Sequence, residues 1–336
     1  MAVMDLSTWQ GMRTRDPRRL ALGSTQWGMP YGIANRHGEP DESELEAMLA
    51  RARASGVSTI DTARAYGESE ARIGRAISSG EGWRVITKLD SDVHREGQGI
   101  AEMLEGLSKS LEASRRALAT DALPVLMLHR FAHRHACGGR LWRGLLAERD
   151  AGRIGVLGVA AATPEEAWAA LQDPDIEVIQ VASSLLDLRL HRQGFFPRAR
   201  ELGRTVYVHS IFLQGVAHLE PETLPPSLLD LVAPMQAIRA CASRVGVPPH
   251  ALYLAFAREL PGVHPILGCE TDAQLEVLLS NWASDAIDSA TITLLVESLP
   301  TLEAQTVDPS RWNSAEIDRK TRVNQTGAAS VATIST

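Results

Sequence analysis

The stretch Val57-Ser-Thr-Ile-Asp-Thr-Ala-Arg-Ala-Tyr-Gly67 decides the fold, because a short apolar run gives way there to small and polar residues. The run at 57–60 predicts a buried strand, and the segment that starts at Ser69 has the pattern of a helix. Asp61 then lies at the C-terminal end of a strand, and Tyr66 lies in the loop beyond it. In a parallel barrel, this end of the strands carries the chemistry.

Two later strands end in the same way. Lys88 closes the run Trp-Arg-Val-Ile-Thr-Lys at 83–88, and His129 closes Val-Leu-Met-Leu-His at 125–129. A carboxylic acid, a phenol, an amine and an imidazole therefore follow the ends of three successive predicted strands. This arrangement predicts that the four groups meet at one face of the fold.

Strands and helices alternate along the rest of the chain. The predicted strands are 19–23, 57–60, 83–88, 125–129, 154–159, 178–182, 205–209 and 264–268. Eight strand–helix pairs predict an α/β protein with a single (β/α)8 TIM barrel domain, which we place at 19–300. We expect a polar N-terminal arm at 1–18 and a peripheral, mobile tail at 301–336, since the tail has no apolar period. Asp41 and Glu44 have the spacing of a helix capping box.

Composition narrows the function classes. The chain has 336 residues, 44% of them hydrophobic, and its net charge of −7 argues against nucleic acid or an anionic membrane as a partner. No apolar run reaches the roughly 20 residues that a membrane span needs. The N-terminus lacks a secretory pattern, and Cys137, Cys241 and Cys269 are odd in number and far apart. These features predict a cytoplasmic protein.

The cluster His129, His133, His135 and Cys137 invites a metal hypothesis. Its spacing does not match a zinc pattern, and the last three lie in a polar, arginine-rich segment. We therefore expect no metal site, a solvated loop, and a functional role for His129 alone.

Several other residues allow two interpretations. Trp27 and Tyr31 follow the first strand and are candidates for the wall of a substrate pocket, and Phe212 is a third, although core packing is an equal alternative for each. Asp187 and Arg189, which follow the sixth strand, are expected to form a surface ion pair.

Six short motifs carry a resemblance to a known family. They are DTARAYG (61–67), ITK (86–88), LMLHR (126–130), GRIGVLGVA (152–160), Gln180 and HSIFLQG (209–215). In this order the motifs resemble those of the aldo-keto reductases over about 20–279. STQWGMPYG (24–32) and HSIFLQG are most similar to a bacterial subgroup from pathways that build cell-surface sugars and secondary metabolites.

The resemblance implies the reduction of a carbonyl, which needs a hydride at carbon and a proton at the developing alkoxide. The hydride would come from a nicotinamide, since no side chain can supply one. A phenol has an ordinary pKa near 10, and a nearby ammonium makes it a better acid. The resemblance implies Tyr66 as the proton donor, Lys88 and Asp61 as its tuning pair, and His129 as the group that orients the carbonyl.

The resemblance also implies where the cofactor lies. Gln180 matches the residue that holds the carboxamide of the nicotinamide. The pyrophosphate would be wrapped by the loop after the seventh strand, with Ser210, Phe212, Gln214 and Gly215. The adenosine end would lie at a helix N-terminus, which favours anions, beside Gly268, Glu270 and Gln274.

Three positions depart from the family pattern. Ala160 and Ala161 stand where a polar pair is usual, which removes hydrogen bonds of about 0.5 to 1.5 kcal/mol each. Glu270 stands where a basic or hydroxyl residue often meets the 2′-phosphate of NADPH, and a carboxylate there favours a ribose 2′-OH. Leu278 replaces a common asparagine near the adenine. We expect NADPH or NADH, with the balance toward NADH.

Three functions remain open. The first is an NAD(P)H-dependent reductase of an aldehyde, ketone or keto-sugar type of intermediate, acting as a monomer or small homo-oligomer. The second is a reductase-like barrel with a regulatory binding role, which Glu270 and the alanine pair at 160–161 would suit. The third is an isomerase or lyase that uses the same acid/base groups without net redox.

Overall fold

A computed structural model of the chain describes residues 15–77, 82–95 and 97–312. Eight parallel strands form a closed barrel, each paired with the next and the last with the first. They are β1 (Ala21–Gly23), β2 (Thr59–Asp61), β3 (Arg84–Lys88), β4 (Leu123–Leu128), β5 (Ile154–Ala160), β6 (Val178–Ala182), β7 (Thr205–His209) and β8 (Val263–Gly268). The predicted (β/α)8 barrel is confirmed.

Helices surround the barrel. They are α1 (Thr25–Gly28), α2 (Glu42–Ala54), α3 (Ser69–Ala76), α4 (Ile100–Ala117), α5 (Ala136–Asp150), α6 (Pro164–Gln172), α7 (Arg189–Arg192), α8 (Phe195–Glu201), α9 (Val232–Val245), α10 (Pro249–Glu259), α11 (Asp272–Ala283), α12 (Ser289–Ser298) and α13 (Ala304–Val307). Short 3-10 helices lie at Pro17–Arg19, Phe131–His135, Val216–His218, Pro221–Thr223, Pro226–Leu231 and Pro309–Arg311. The prediction did not include α12.

Side chains alternate between the barrel interior and the helix layer, as the period of two requires. The interior holds a closed apolar cluster that includes Ile86 of β3, Tyr207 of β7 and Ile266 of β8. On β3, Lys88 shares the inward direction with Ile86, whereas Thr87 between them faces the helices. Because the strands are parallel, all eight C-terminal ends open at one face of the barrel.

Helix termini are capped by nearby side chains. Asp41 caps α2 as predicted, since its Oδ1 accepts from the Glu44 backbone N–H at 2.8 Å. The Glu44 carboxylate does not complete the capping box. It accepts instead from the backbone N–H of Asp272, at the start of α11. The tertiary fold brings that second orphan donor close, which the local pattern could not reveal.

The C-terminal segment departs from the expectation of a peripheral, mobile tail. Residues 301–312 pack against the barrel, with Val307 1% and Trp312 8% exposed. The Trp312 indole donates to Thr306 O at 3.0 Å. The rest of the expected tail, at 313–336, and most of the expected arm, at 1–14, lie outside the described residues. No helix in the described part of the chain is both long and apolar enough to cross a membrane.

Candidate active site

A cavity of about 1060 Å³ opens at the C-terminal ends of the strands. Its volume is large for a site that takes one small molecule. The predicted site residues that line it are Tyr31, Asp61, Tyr66, Lys88, His129, Gln180, Ser210, Phe212, Gln214, Gly215, Gly268, Glu270 and Gln274. With Ala160 at the end of β5, the fold brings residues from all eight strand ends to one cleft.

Lys88 is the centre of the polar network. Its Nζ donates to both carboxylate oxygens of Asp61, at 2.8 and 2.9 Å, and to Thr62 O at 3.0 Å. The phenolic oxygen of Tyr66 lies 3.4 Å from the same nitrogen. An ammonium thus bridges a buried carboxylate and a phenol inside the mouth of the barrel.

The charge on Lys88 is maintained by its partners. Burial by itself lowers the pKa of Lys88, but the negative charge of Asp61, with the phenol of Tyr66, outweighs burial and the net shift is upward. Lys88 is only 1% exposed, so the low-dielectric surroundings strengthen this pairing. A fixed cation beside a phenol stabilises negative charge on the phenolic oxygen.

His129 faces the same phenol. Its ring meets that of Tyr66 edge to face, with centroids 6.0 Å apart. Burial, with the positive charges of Lys88 and Arg130, lowers the pKa of His129 to about 4. The imidazole is therefore neutral near pH 7 and can donate one hydrogen bond and accept another. Its buried Nδ1 finds no partner among the described protein atoms.

The loop that carries Tyr66 is held in place by close backbone contacts. Gly67 has a φ of +54°, and a Cβ on it would lie 2.0 Å from Gly28 O. Only glycine fits this position. The backbone N–H of Glu68 donates to the same carbonyl at 3.2 Å.

Gln180 links this network to the next part of the cavity. Its Nε2 donates to Asp61 Oδ1 at 2.7 Å, so the amide is fixed in orientation. The alanines at 160 and 161 also line the cavity and offer no side-chain hydrogen bond.

The loop after β7 has an unusual backbone. Ser210, Leu213 and Gln214 have φ values of 59°, 47° and 52°, and Gly215 follows at 89°. Left-handed residues are typical of loops whose N–H groups bind anions. In this loop the N–H groups of Leu213 and Gly215 donate to Ser210 O and Phe212 O, at 2.8 and 2.9 Å. Gln214 O accepts from the backbone N–H of Ile33 at 3.0 Å, so this loop touches the loop after β1 across the cavity.

The far end of the cavity lies at the N-terminus of α11. The Gln274 amide donates to Glu270 Oε2 at 2.8 Å and accepts from the Glu270 backbone N–H at 2.8 Å. Arg51 of α2 is engaged by Asp272, at the start of α11, at 2.6 Å. Among the described residues that line the cavity, the lysine and arginine side chains are Lys88 and Arg189, neither of them at this end.

Trp27 does not line the cavity. It is completely buried, and its indole donates to Cys269 O at 3.4 Å, so the core-packing alternative describes it. Tyr31 does line the cavity, and burial raises its pKa to about 12. Phe212 also lines the cavity and stacks on His218, with ring centroids 4.8 Å apart.

The Asp187–Arg189 pair was expected on the surface and is not there. Arg189 donates to both oxygens of Asp187 at 2.7 Å, Asp187 is 4% exposed, and Arg189 lines the cavity. The segment at 133–137, which was expected to be a solvated loop, is also only partly solvated, because His133 is 5% exposed. Local polarity indicated exposure in both cases, and the tertiary fold covered the residues.

Other cavity residues had no assigned role in the sequence. His209 ends β7, and burial together with Lys88 lowers its pKa to about 4. Val307, Asp308 and Ser310 come from the C-terminal segment. His209 could have been found by its position at a strand end, whereas the sequence offered the tail as a possible source of substrate contacts without singling out these residues.

Comparisons with known proteins agree with this geometry. The model of the aldo/keto reductase family matches residues 19–299. An uncharacterized oxidoreductase of Mycobacterium tuberculosis is 26% identical over 303 residues, covering 81% of this chain and 88% of that protein. The solved structure of an aldo-keto reductase from Bacillus halodurans has a TM-score of 0.68 at 18% identity, covering 88% of this chain and 95% of that one. The glycerol dehydrogenase of Gluconobacter oxydans gives a TM-score of 0.64 at 19% identity, covering 88% and 94%. The family match spans nearly the whole barrel, and the chain therefore belongs to the aldo/keto reductase family, a family of oxidoreductases.

Proposed function

We propose that the protein reduces a carbonyl to an alcohol with a nicotinamide cofactor, and that Tyr66 donates the proton. The observation that carries the proposal is the position of Lys88 Nζ, between the Asp61 carboxylate and 3.4 Å from the Tyr66 oxygen. This arrangement suits proton transfer to an alkoxide at neutral pH.

The roles of the residues follow from the geometry. Asp61 holds Lys88 charged, and Lys88 stabilises the phenolate that Tyr66 becomes when it releases its proton. Neutral His129, on the other side of the phenol, donates a hydrogen bond to the carbonyl oxygen and orients it. A bound nicotinamide would supply the hydride, which no residue of this chain can provide.

The residues lining the cavity fit a dinucleotide. The Gln180 amide retains a free carbonyl oxygen for a carboxamide, and the left-handed loop at 210–215 offers N–H groups to a pyrophosphate. At the adenosine end, the Glu270 carboxylate can accept from a ribose 2′-OH and would repel a 2′-phosphate. We therefore favour NADH over NADPH.

The substrate is inferred to be a small or medium polar carbonyl, of which a keto-sugar is one example. The lining near the C-terminal segment supports this, since it presents Arg189, His209, Asp308 and Ser310. Hydroxyl groups of a substrate can add hydrogen bonds to such mixed donors and acceptors, whereas a wholly apolar substrate would exclude water from them without replacing its hydrogen bonds. We further infer action in the cytoplasm, as a monomer or small homo-oligomer.

The test is direct. Wild-type protein should enhance the fluorescence of NADH and oxidise it in the presence of an aldehyde or keto-sugar panel. Tyr66→Phe should bind NADH with an unchanged Kd and lose turnover by at least about 10²-fold. Retained turnover would refute the role of Tyr66. Absence of nicotinamide binding would favour the regulatory or isomerase alternatives, to which the alanine pair at 160–161 gives some support.

A further inference from the structure

Glu70 is a buried carboxylate that the proposed reaction does not use. It lies in the first turn of α3, is 1% exposed, and does not line the cavity. A carboxylate buried to this degree is costly unless its charge is paired and hydrogen-bonded. Its partners therefore indicate which segments of the chain Glu70 connects.

Both oxygens of Glu70 are engaged. Thr87 Oγ1 donates to Oε1 at 2.6 Å, and the Arg64 guanidinium donates to Oε2. The N-terminus of α3 adds a favourable field for the negative charge. The carboxylate thus has a cation, a hydroxyl and a helix dipole as partners.

The two partners belong to the two elements that carry the proton-transfer groups. Thr87 directly precedes Lys88 on β3, and Arg64 lies two residues before Tyr66 in its loop. One carboxylate on α3 therefore ties the strand of the lysine to the loop of the tyrosine.

This connection matters because a small displacement of Tyr66 would break its contact with Lys88. At 3.4 Å it lies beyond the usual range of hydrogen bonds. On the β1 side, the loop is anchored by Glu68 N–H to Gly28 O at 3.2 Å. On the β3 side, a backbone bond from Arg64 N–H to Lys88 O at 3.3 Å stands beside the side-chain pair.

We propose that Glu70, through Arg64 and Thr87, is a positioning residue that keeps Tyr66 within reach of Lys88. This inference rests on the proposed function of Tyr66 and extends it to a residue outside the cavity. The titratable groups around the Tyr66 phenol are Lys88 from β3, Asp61 from β2, His129 from the end of β4 and Tyr31 from the loop after β1. Glu70 acts on the phenol through none of these charges, but through the position of the loop.

The test is Glu70→Gln, which removes the charge and keeps the shape. A loop displacement of about 1 Å should lower kcat by roughly 10- to 100-fold and leave the Kd of NADH unchanged. The basic limb of the kcat profile should move to higher pH, because the ammonium then stabilises the phenolate less. A merely structural role would lower the Tm and leave that limb in place. Glu68→Gln is the matched control, since Glu68 is exposed, and it should behave as wild type.

A second variant tests the pair itself. Arg64→Met should reproduce the kcat loss and the shifted limb, and the double variant with Glu70→Gln should be little worse than either alone. Additive losses of kcat in the double variant would overturn the inference. So would a basic limb that stays at its wild-type pH in both single variants.

A readout without substrate separates this inference from the proposed function. In an ultraviolet titration of phenolate absorbance, the step that is lost in Tyr66→Phe belongs to Tyr66. That step should move to higher pH in Glu70→Gln even if no carbonyl is reduced. A stationary step would overturn the positioning role, whereas failure of the wild type to oxidise NADH would overturn only the reductase proposal.

Discussion

Replacing Glu270 with glutamine tests how the cavity selects its cofactor. The carboxylate lies at the end of the cavity that we propose for the adenosine, and it is held by the Gln274 amide at 2.8 Å. Arg51 of α2 is already bound by Asp272. A 2′-phosphate placed there would meet a negative charge with no free cation from the described cavity lining to offset it.

The magnitude follows from Coulomb's law at a solvent-exposed rim. Two unit charges about 4 Å apart in a high-dielectric medium interact by about 1 kcal/mol, and a phosphate carries up to about two charges. The repulsion is therefore about 2 kcal/mol, or roughly 30-fold in Kd. Wild type should bind NADH about 30-fold more tightly than NADPH, and Glu270→Gln should remove most of that ratio.

The assay is a fluorescence titration with both nicotinamides at low and high salt. Added salt should narrow the ratio in wild type by screening the repulsion, and it should have little effect in Glu270→Gln. Glu276→Gln is the control, because Glu276 lies on α11, the helix that follows Glu270, pairs with Arg51, and does not line the cavity. Equal affinities of the wild type for the two cofactors, or an unchanged ratio in Glu270→Gln, would refute the electrostatic reasoning.

Three further predictions concern other parts of the molecule. Ala161→Asn should tighten NADH binding by about 2- to 10-fold by restoring one carboxamide hydrogen bond, whereas Ala161→Val should not. A chain that ends at Glu303 loses Val307 and Asp308 from the cavity wall. The KM of the carbonyl substrate should therefore rise several-fold while the Kd of NADH stays constant. An unchanged KM would show that the segment does not contact substrate. Burial lowers the pKa of His129 to about 4 and that of His264 to about 3, below the ordinary value near 6.5. Between pH 6.5 and 4 these histidines are therefore protonated in the unfolded chain and neutral in the native state. The free energy of unfolding should fall as pH drops through this range, by up to about 1.4 kcal/mol per pH unit for each histidine. Calorimetry at several pH values checks this, and a Tm that stays flat down to pH 5 would contradict it.

The positions of most strands and the nature of the network could be predicted from the sequence. Short apolar runs bounded by Gly, Asp, Lys and His mark buried parallel strands, and the polar residues that follow the runs mark their C-terminal ends. The bounds of β6 and β7 agree with the prediction because both are set by local patterns. The prediction that Asp61, Tyr66, Lys88 and His129 lie close together could be made for the same reason, since each lies at or just beyond the C-terminal end of a strand, and all four line one cavity.

Contacts between distant segments were beyond the reach of local patterns. The polar Asp187–Arg189 pair is buried because other elements cover it, and Glu44 caps α11 rather than its own helix. The C-terminal residues 307–310 line the cavity, although their polar composition suggested a free tail.

By itself, then, the sequence determined to within one residue where each strand ends, because that information lies in neighbouring side chains. Only the tertiary structure decided which side chains interact, since the distance between Lys88 and Tyr66 depends on barrel closure and on the loop anchored by Glu70. The burial that lowers the pKa of His129 and the ion pair between Glu70 and Arg64 are likewise properties of the packed molecule and not of any segment.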